Sequence, residues 1–176
     1  ARFGEATQPK PTEKTPPATR RLRALADRRT QLVEDRTREK NRHGICPDRA
    51  IATEIRRRIK QLTTLIEKLD QQVQELIAAE EDLLTKATVL QTATGVGTQT
   101  ACILLAHFPE LGTLSRQAVA AIAGVAPHPQ ESGKWVGKRR IYGGRKVVRK
   151  ALYMAAKSAA QHCPHLAPFY KKLRAA

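Results

Sequence analysis

Between residues 55 and 76, large aliphatic side chains recur at alternating steps of four and three: Ile55, Ile59, Leu62, Ile66, Leu69, Val73 and Leu76. Arg, Lys, Glu and Gln fill the positions between them. That heptad seam commits the stretch to a long α-helix and predicts one over residues 48–88. Forty residues of helix reach roughly 60 Å at about 1.5 Å per residue. So narrow a stripe needs a partner. Residues 18–42 supply one: they are charged, free of Pro and Gly, and carry Leu22, Leu25, Leu32 and Val33 on a stripe of their own. His43-Gly44-Ile45-Cys46-Pro47-Asp48 interrupts the two runs, with Gly44 placed to end the first helix and Asp48 to cap the second. The expectation is an antiparallel helical hairpin, or coiled coil, over residues 19–88, with an added role in homo-oligomerisation.

The flanking segments differ in composition. Residues 1–18 hold Pro9, Pro11, Pro16 and Pro17 among Thr, Gln and Lys, which cannot build a core and read as a linker. Residues 89–176 read as a compact helical domain, so the fold class is all-α. An apolar helix covers Ala101–Phe108, and an alanine-rich one follows Ser115. A loop spans 127–144. A basic amphipathic helix over Arg145–His162 has Leu152, Met154, Ala155, Ala156 and Ala159 as its expected buried side, and a short helix covers Ala167–Leu173.

Charge divides the chain further. The formal net charge is +16. Residues 115–176 contain 13 Lys/Arg and a single acid, Glu131, whereas the preceding 114 residues hold 19 Lys/Arg against 15 acids. A segment so one-sided repels itself unless anions neutralise it, and nucleic-acid phosphate is the first candidate. A membrane surface is a weaker rival, because few large apolar residues are available to insert. Aromatics make up 4% of the chain, which does not support a base-stacking platform. No apolar run is long enough to span a bilayer. Cys46, Cys102 and Cys163 share no close spacing and form neither a metal motif nor an obvious disulfide set, which fits a reducing cytoplasm, and with DNA as partner the expected localisation is cytoplasmic and nucleoid-associated.

Three motifs carry candidate chemistry. Gly95-Val96-Gly97-Thr98, ahead of an apolar helix, fits a helix-hairpin-helix turn whose glycines and helix-start N–H groups grip a phosphate. The alternative is a tight turn between core helices. Lys134, Lys138, Arg139, Arg140, Arg145, Lys146, Arg149 and Lys150 form a cationic cluster, with Gly133, Gly137, Gly143 and Gly144 loosening the backbone between them. The alternative there is a solvated face. Ser132 is one of only three serines in the chain and the one set in a Gly-flanked, cationic loop. It is a hydroxyl nucleophile for a phosphodiester or, more plainly, a turn residue. The acids lie scattered along the hairpin, and the five histidines lack metal spacing, so two-metal chemistry finds no carboxylate cluster here. No metal site and no cofactor are expected in this chain.

The motifs occur together in an order that resembles one family. Thr94-Gly95-Val96-Gly97-Thr98-Gln99-Thr100-Ala101, Ala123-Gly124-Val125-Ala126-Pro127, Ser132-Gly133-Lys134 and Gly143-Gly144-Arg145-Lys146-Val147-Val148-Arg149-Lys150-Ala151-Leu152-Tyr153 resemble the C-terminal domain of DEDD-type insertion-sequence transposases of the IS-one-ten type, the bridge-RNA-guided recombinases. Pro168-Phe169-Tyr170-Lys171-Lys172-Leu173 resembles that domain's ending, and residues 19–88 resemble the coiled coil before it. The resemblance implies that Ser132 attacks DNA to form a phosphoserine link. It implies that a structured guide (bridge) RNA pairs with donor and target DNA, and that Mg2+ is held by the four acids of a RuvC-like domain. Ala1-Arg2-Phe3-Gly4 looks like the segment after that domain's last acidic motif. The chain lacks the domain, and on this reading is an inactive part of a transposase. The rival is a non-catalytic architectural DNA- or RNA-binding module.

Overall fold

The computed structural model describes residues 15–129, 131–133 and 135–175. It is all-α apart from one small β-arm. Helix α1 spans Pro17–Ile45 and α2 spans Arg49–Ala79, and they run antiparallel as a hairpin. Pro17 opens α1 at a position where its missing N–H costs nothing. The helix passes through Gly44, contrary to expectation, and stops at Cys46. The residue before a proline is pushed to extended backbone, and Cys46 precedes Pro47. Asp48 caps α2 as expected, its carboxylate accepting from the Ile51 N–H at 2.8 Å. The seam faces α1: Leu32 packs with Leu62 and Ile66, and Leu22 and Ala26 pack with Val73 and Ile77.

The predicted single helix over 48–88 is corrected. The chain breaks at Glu80 (φ −114°, ψ 104°), and α3 restarts over Glu81–Gln91. The heptad stripe is exhausted by then. The restart turns Leu83 and Ala87 toward Cys102, Leu105 and Ala106 of helix α4, Thr98–His107. Glu81 and Asp82 lie in the first turn of α3, where the helix dipole favours acids.

Helix α4 is the hub of the molecule. Its side chains are buried on two sides. Cys102, Leu105 and Ala106 meet the base of the hairpin, while Leu104 and Phe108 meet Ala123 and Val148 in a second core. Burying each such large side chain contributes about 1.5–3 kcal/mol. Helix α5, Arg116–Ala123, is capped by Ser115, whose hydroxyl accepts from the Ala118 N–H at 3.3 Å, and it closes on Gly124 in the left-handed region (φ 71°). Helix α6, Lys146–His162, buries Val148, Ala151, Ala155 and Ala159. Met154 (56% exposed) and Ala156 lie outward, correcting their expected burial; the face is set by small residues that let α6 approach α4 closely. Helix α7, Leu166–Ala175, packs on α6 and buries none of its own residues.

The loop expected over 127–144 is instead a nested antiparallel hairpin. Strand β1 (Pro127–His128) pairs with β4 (Arg140–Ile141), and β2 (Glu131–Ser132) pairs with β3 (Trp135–Val136). Two-residue strands leave almost no alternation for a sequence reading to detect.

Candidate nucleic-acid interface

The turn into α4 carries the first predicted site. Gly95 has φ 93°, and a side chain there would run into the Ala155 carbonyl oxygen of α6. Its glycine is therefore explained by close backbone packing. Val96 donates its N–H to the Ala93 carbonyl at 3.0 Å and lines a small apolar cleft with Leu90, Leu104 and Phe108. Gly97 begins α4 with nothing within 4 Å of where a Cβ would stand, and both Gly97 and Thr98 are exposed. With glycine as N-cap, no side chain caps the first N–H groups of α4. Gln99 points the other way, donating to Asp70 at 2.8 Å. Asp70 also takes the Arg29 guanidinium through both oxygens, so one carboxylate ties α1, α2 and the start of α4 together.

The β-arm carries the second. Ser132 pairs with Trp135 at the arm's tip, and Gly133, the first residue of the turn between them, has φ 56°. Ser132 is exposed, as are Glu131, Gly133 and Trp135. Lys138, Arg139 and Arg140 are exposed on the returning half. Lys134 lies outside the described residues. The arm is braced by the His128 and Tyr142 rings, 4.8 Å apart and tilted by 46°.

At the arm's base, three glycines meet two arginines. Gly124, Gly143 and Gly144 all have positive φ. A Cβ on Gly144 would enter the Gly124 backbone, and one on Gly124 would stand 2.6 Å from the Gly143 carbonyl oxygen. Arg149 locks the contact, donating to the carbonyls of Gly143 at 2.7 Å and Gly124 at 3.3 Å. Arg145 donates to both oxygens of Glu110 at 2.6 Å and to the His107 carbonyl at 2.8 Å, and lies over the Phe108 ring. The Arg145 guanidinium holds the Glu110 carboxyl below the usual carboxylate range. Both arginines were read from the sequence as surface cations. The structure gives each an internal use: holding the arm on the helical core.

The outward cations are different residues. Lys146 and Lys150 are exposed on α6, and Lys157 and Tyr153 continue the same stripe at helical spacing. Val148, Ala151, Ala155 and Ala159 occupy the opposite face. Lys157 and Tyr153 escaped the sequence reading, although seven-residue steps from Lys150 and Lys146 were there to find them. Among the described residues, no group of three or more His, Cys, Asp or Glu is placed to hold a metal ion. Nor is any helix among them long and apolar enough to cross a membrane.

The arm, its clamp and the basic face of α6 fall within one stretch that is similar to a known family. Residues 87–171 match the transposase IS116/IS110/IS902 family. The chain is also similar to the pilin gene-inverting proteins of Moraxella bovis and Moraxella lacunata. Each is 28% identical over 142 residues, a stretch covering 77% of this chain and 41% of the relative. The chain thus spans about two-fifths of the length of these relatives. The match to residues 87–171 starts within α3 and takes in the motif turn, α4, the arm and α6.

Proposed function

We propose that this chain is the C-terminal part of a DNA transposase or recombinase in which Ser132 is the nucleophile. One observation carries the reading: Ser132 stands exposed at the tip of an arm that bears Lys138, Arg139 and Arg140 and is clamped to the core by Arg149. The cations neutralise a phosphodiester drawn to the arm, and the clamp fixes where the hydroxyl meets it. The Ser132 oxygen forms a bond to phosphorus as the bond from phosphorus to a deoxyribose oxygen breaks. The serine proton passes to solvent, and the departing sugar oxygen takes one up. A second deoxyribose hydroxyl reverses the step on a new strand, releasing the serine.

The nucleic-acid grip consists of Lys138, Arg139 and Arg140 on the arm, Lys146, Lys150 and Lys157 on α6, and the N–H groups after Gly97 that no side chain caps. These contacts hold backbone and carry no sequence information. Sequence choice would come from a guide RNA paired with the DNA, which a backbone grip suits. The described residues offer no carboxylate set fitting Mg2+, so such an ion would be held by carboxylates of a RuvC-like domain, and no step above runs through it. Self-association through the hairpin belongs to the same proposal; Leu65, 43% exposed, is an apolar residue that the pairing of α1 with α2 leaves outward.

The test is Ser132→Ala in the full-length protein. Recombination should be lost, while affinity for duplex DNA stays within about twofold, because a neutral hydroxyl adds no phosphate charge contact. Retained recombination would leave the architectural, non-catalytic reading in its place.

A further inference from the structure

The helical hairpin is not uniformly charged. Its proximal part, residues 17–35 and 61–79, contains six Lys/Arg and six Asp/Glu. Its distal end, residues 36–60, contains nine Lys/Arg and three Asp/Glu. The two distal segments are brought together by the antiparallel pairing of α1 with α2, in which Arg56 reaches His43 at 3.4 Å.

Little within the chain neutralises that end. Arg38 pairs with Asp35 and Arg42 with Glu39, both along α1. Asp48 is committed to capping the Ile51 N–H. On α2, Arg49, Arg56, Arg57, Arg58 and Lys60 are all exposed, and none is in an ion pair among the described residues. Arg57, Arg58 and Lys60 line a shallow hollow with Gln61, Thr64 and Leu65. Holding five long cations on twelve residues of one helix costs repulsion unless anions meet them.

We infer that the distal end of the hairpin is a second phosphate-binding surface for nucleic acid, separate from the arm and α6. The inference rests on the proposed nucleic-acid function but concerns residues outside the family-matched stretch. Its position supports it. Asp70 marks where the hairpin is tied to α4 through Gln99. A rise of 1.5 Å per residue carries Arg56 about 20 Å and Arg49 about 30 Å beyond that tie, the latter close to one turn of duplex. The distal end of a second copy is a poor occupant, since it would bring an equal excess of positive charge, so any self-association of the hairpin would have to use its charge-balanced proximal part against this face. The exposed Ile45 (84%) and Ile51 (54%) sit at the turn, so an anionic membrane is the rival that the test must address.

The test compares R56Q/R57Q/R58Q with K146Q/K150Q, each in the whole chain. Binding is read by fluorescence anisotropy on a duplex of about 25 base pairs over a series of salt concentrations. The three distal arginines make only the weak contacts to His43 and Gln61, so helix content by circular dichroism should be unchanged. The triple variant should bind at least tenfold more weakly near about 0.1 M salt, with the slope of log K against log salt shallower by about 2–3. If the triple variant leaves affinity and slope unchanged while K146Q/K150Q lowers both, the distal surface is overturned and the proposed function stands. If only the triple variant changes binding, the distal surface stands and the α6 grip falls. If neither changes it, both fall. Loss of binding to phosphatidylserine vesicles with duplex binding intact would overturn the inference in favour of a membrane.

Discussion

Single residues decide how the arm is held. Gly144 has φ 65° and lies against the Gly124 backbone, so Gly144→Ala adds both backbone strain and a clash that no side-chain movement relieves. A loss of roughly 2 kcal/mol or more in unfolding free energy is expected, readable as a lower denaturant midpoint. Glu110→Gln removes the charge that the Arg145 fork binds. Both side chains are more than a third exposed, so solvent screens the pair and the loss should be nearer 1 kcal/mol. The roles of Arg145 and Arg149 were not legible in the sequence. Helical spacing puts both near the start of α6 but cannot say that Glu110, Gly124 and Gly143 lie above them. Ser132 could be singled out in the sequence as a scarce residue type beside a glycine and basic residues, whereas the β-arm that carries it could not.

Among elements, the hairpin was the most readable and its end the least. The seam from Ile55 to Leu76 fixes α2 and its burial against α1, since alternating three and four is periodic over three heptads. The break at Glu80 carries no Gly or Pro. Its one local sign is the acidic pair Glu81-Asp82 suited to a new N-terminus, and what enforces it is the packing of α3 on α4. The joint between hairpin and α4 has a specific weak point. Asp70 accepts from Arg29 and Gln99, with about a quarter of its side chain exposed. Asp70→Asn leaves Arg29 without its counter-charge and should cost about 2 kcal/mol, less than a fully buried pair would. Thermal unfolding with and without the substitution measures it.

At the scale of the whole molecule, acidification acts on both groups linked through the end of α4. His107 is buried, which pushes its pKa down against the opposing pull of Asp27, 3.2 Å away. A histidine whose folded pKa is lowered stabilises fully above its ordinary value of 6.5. That contribution is lost as pH falls through 6.5 toward the folded value, because the unfolded chain takes up the proton first. Glu110, also lowered, contributes above its ordinary 4.5 and loses that as pH falls through its depressed value. Stability should therefore fall in two stages below pH 6.5, and His107→Gln should flatten the first. Charge distribution was half legible at this scale. The one-sided C-terminal segment was plain from counting, whereas the distal hairpin cluster emerged only when pairing of α1 with α2 brought residues 36–45 beside 49–60.

The central claim is that Ser132 becomes covalently joined to DNA. The full-length protein is incubated with donor DNA and the proposed guide RNA, quenched in denaturant, and any protein–DNA adduct is digested and mapped by mass spectrometry. The account predicts a nucleotide phosphate on the peptide containing Ser132 and no adduct from Ser132→Ala. An adduct on another residue, or one that persists in Ser132→Ala, would contradict it.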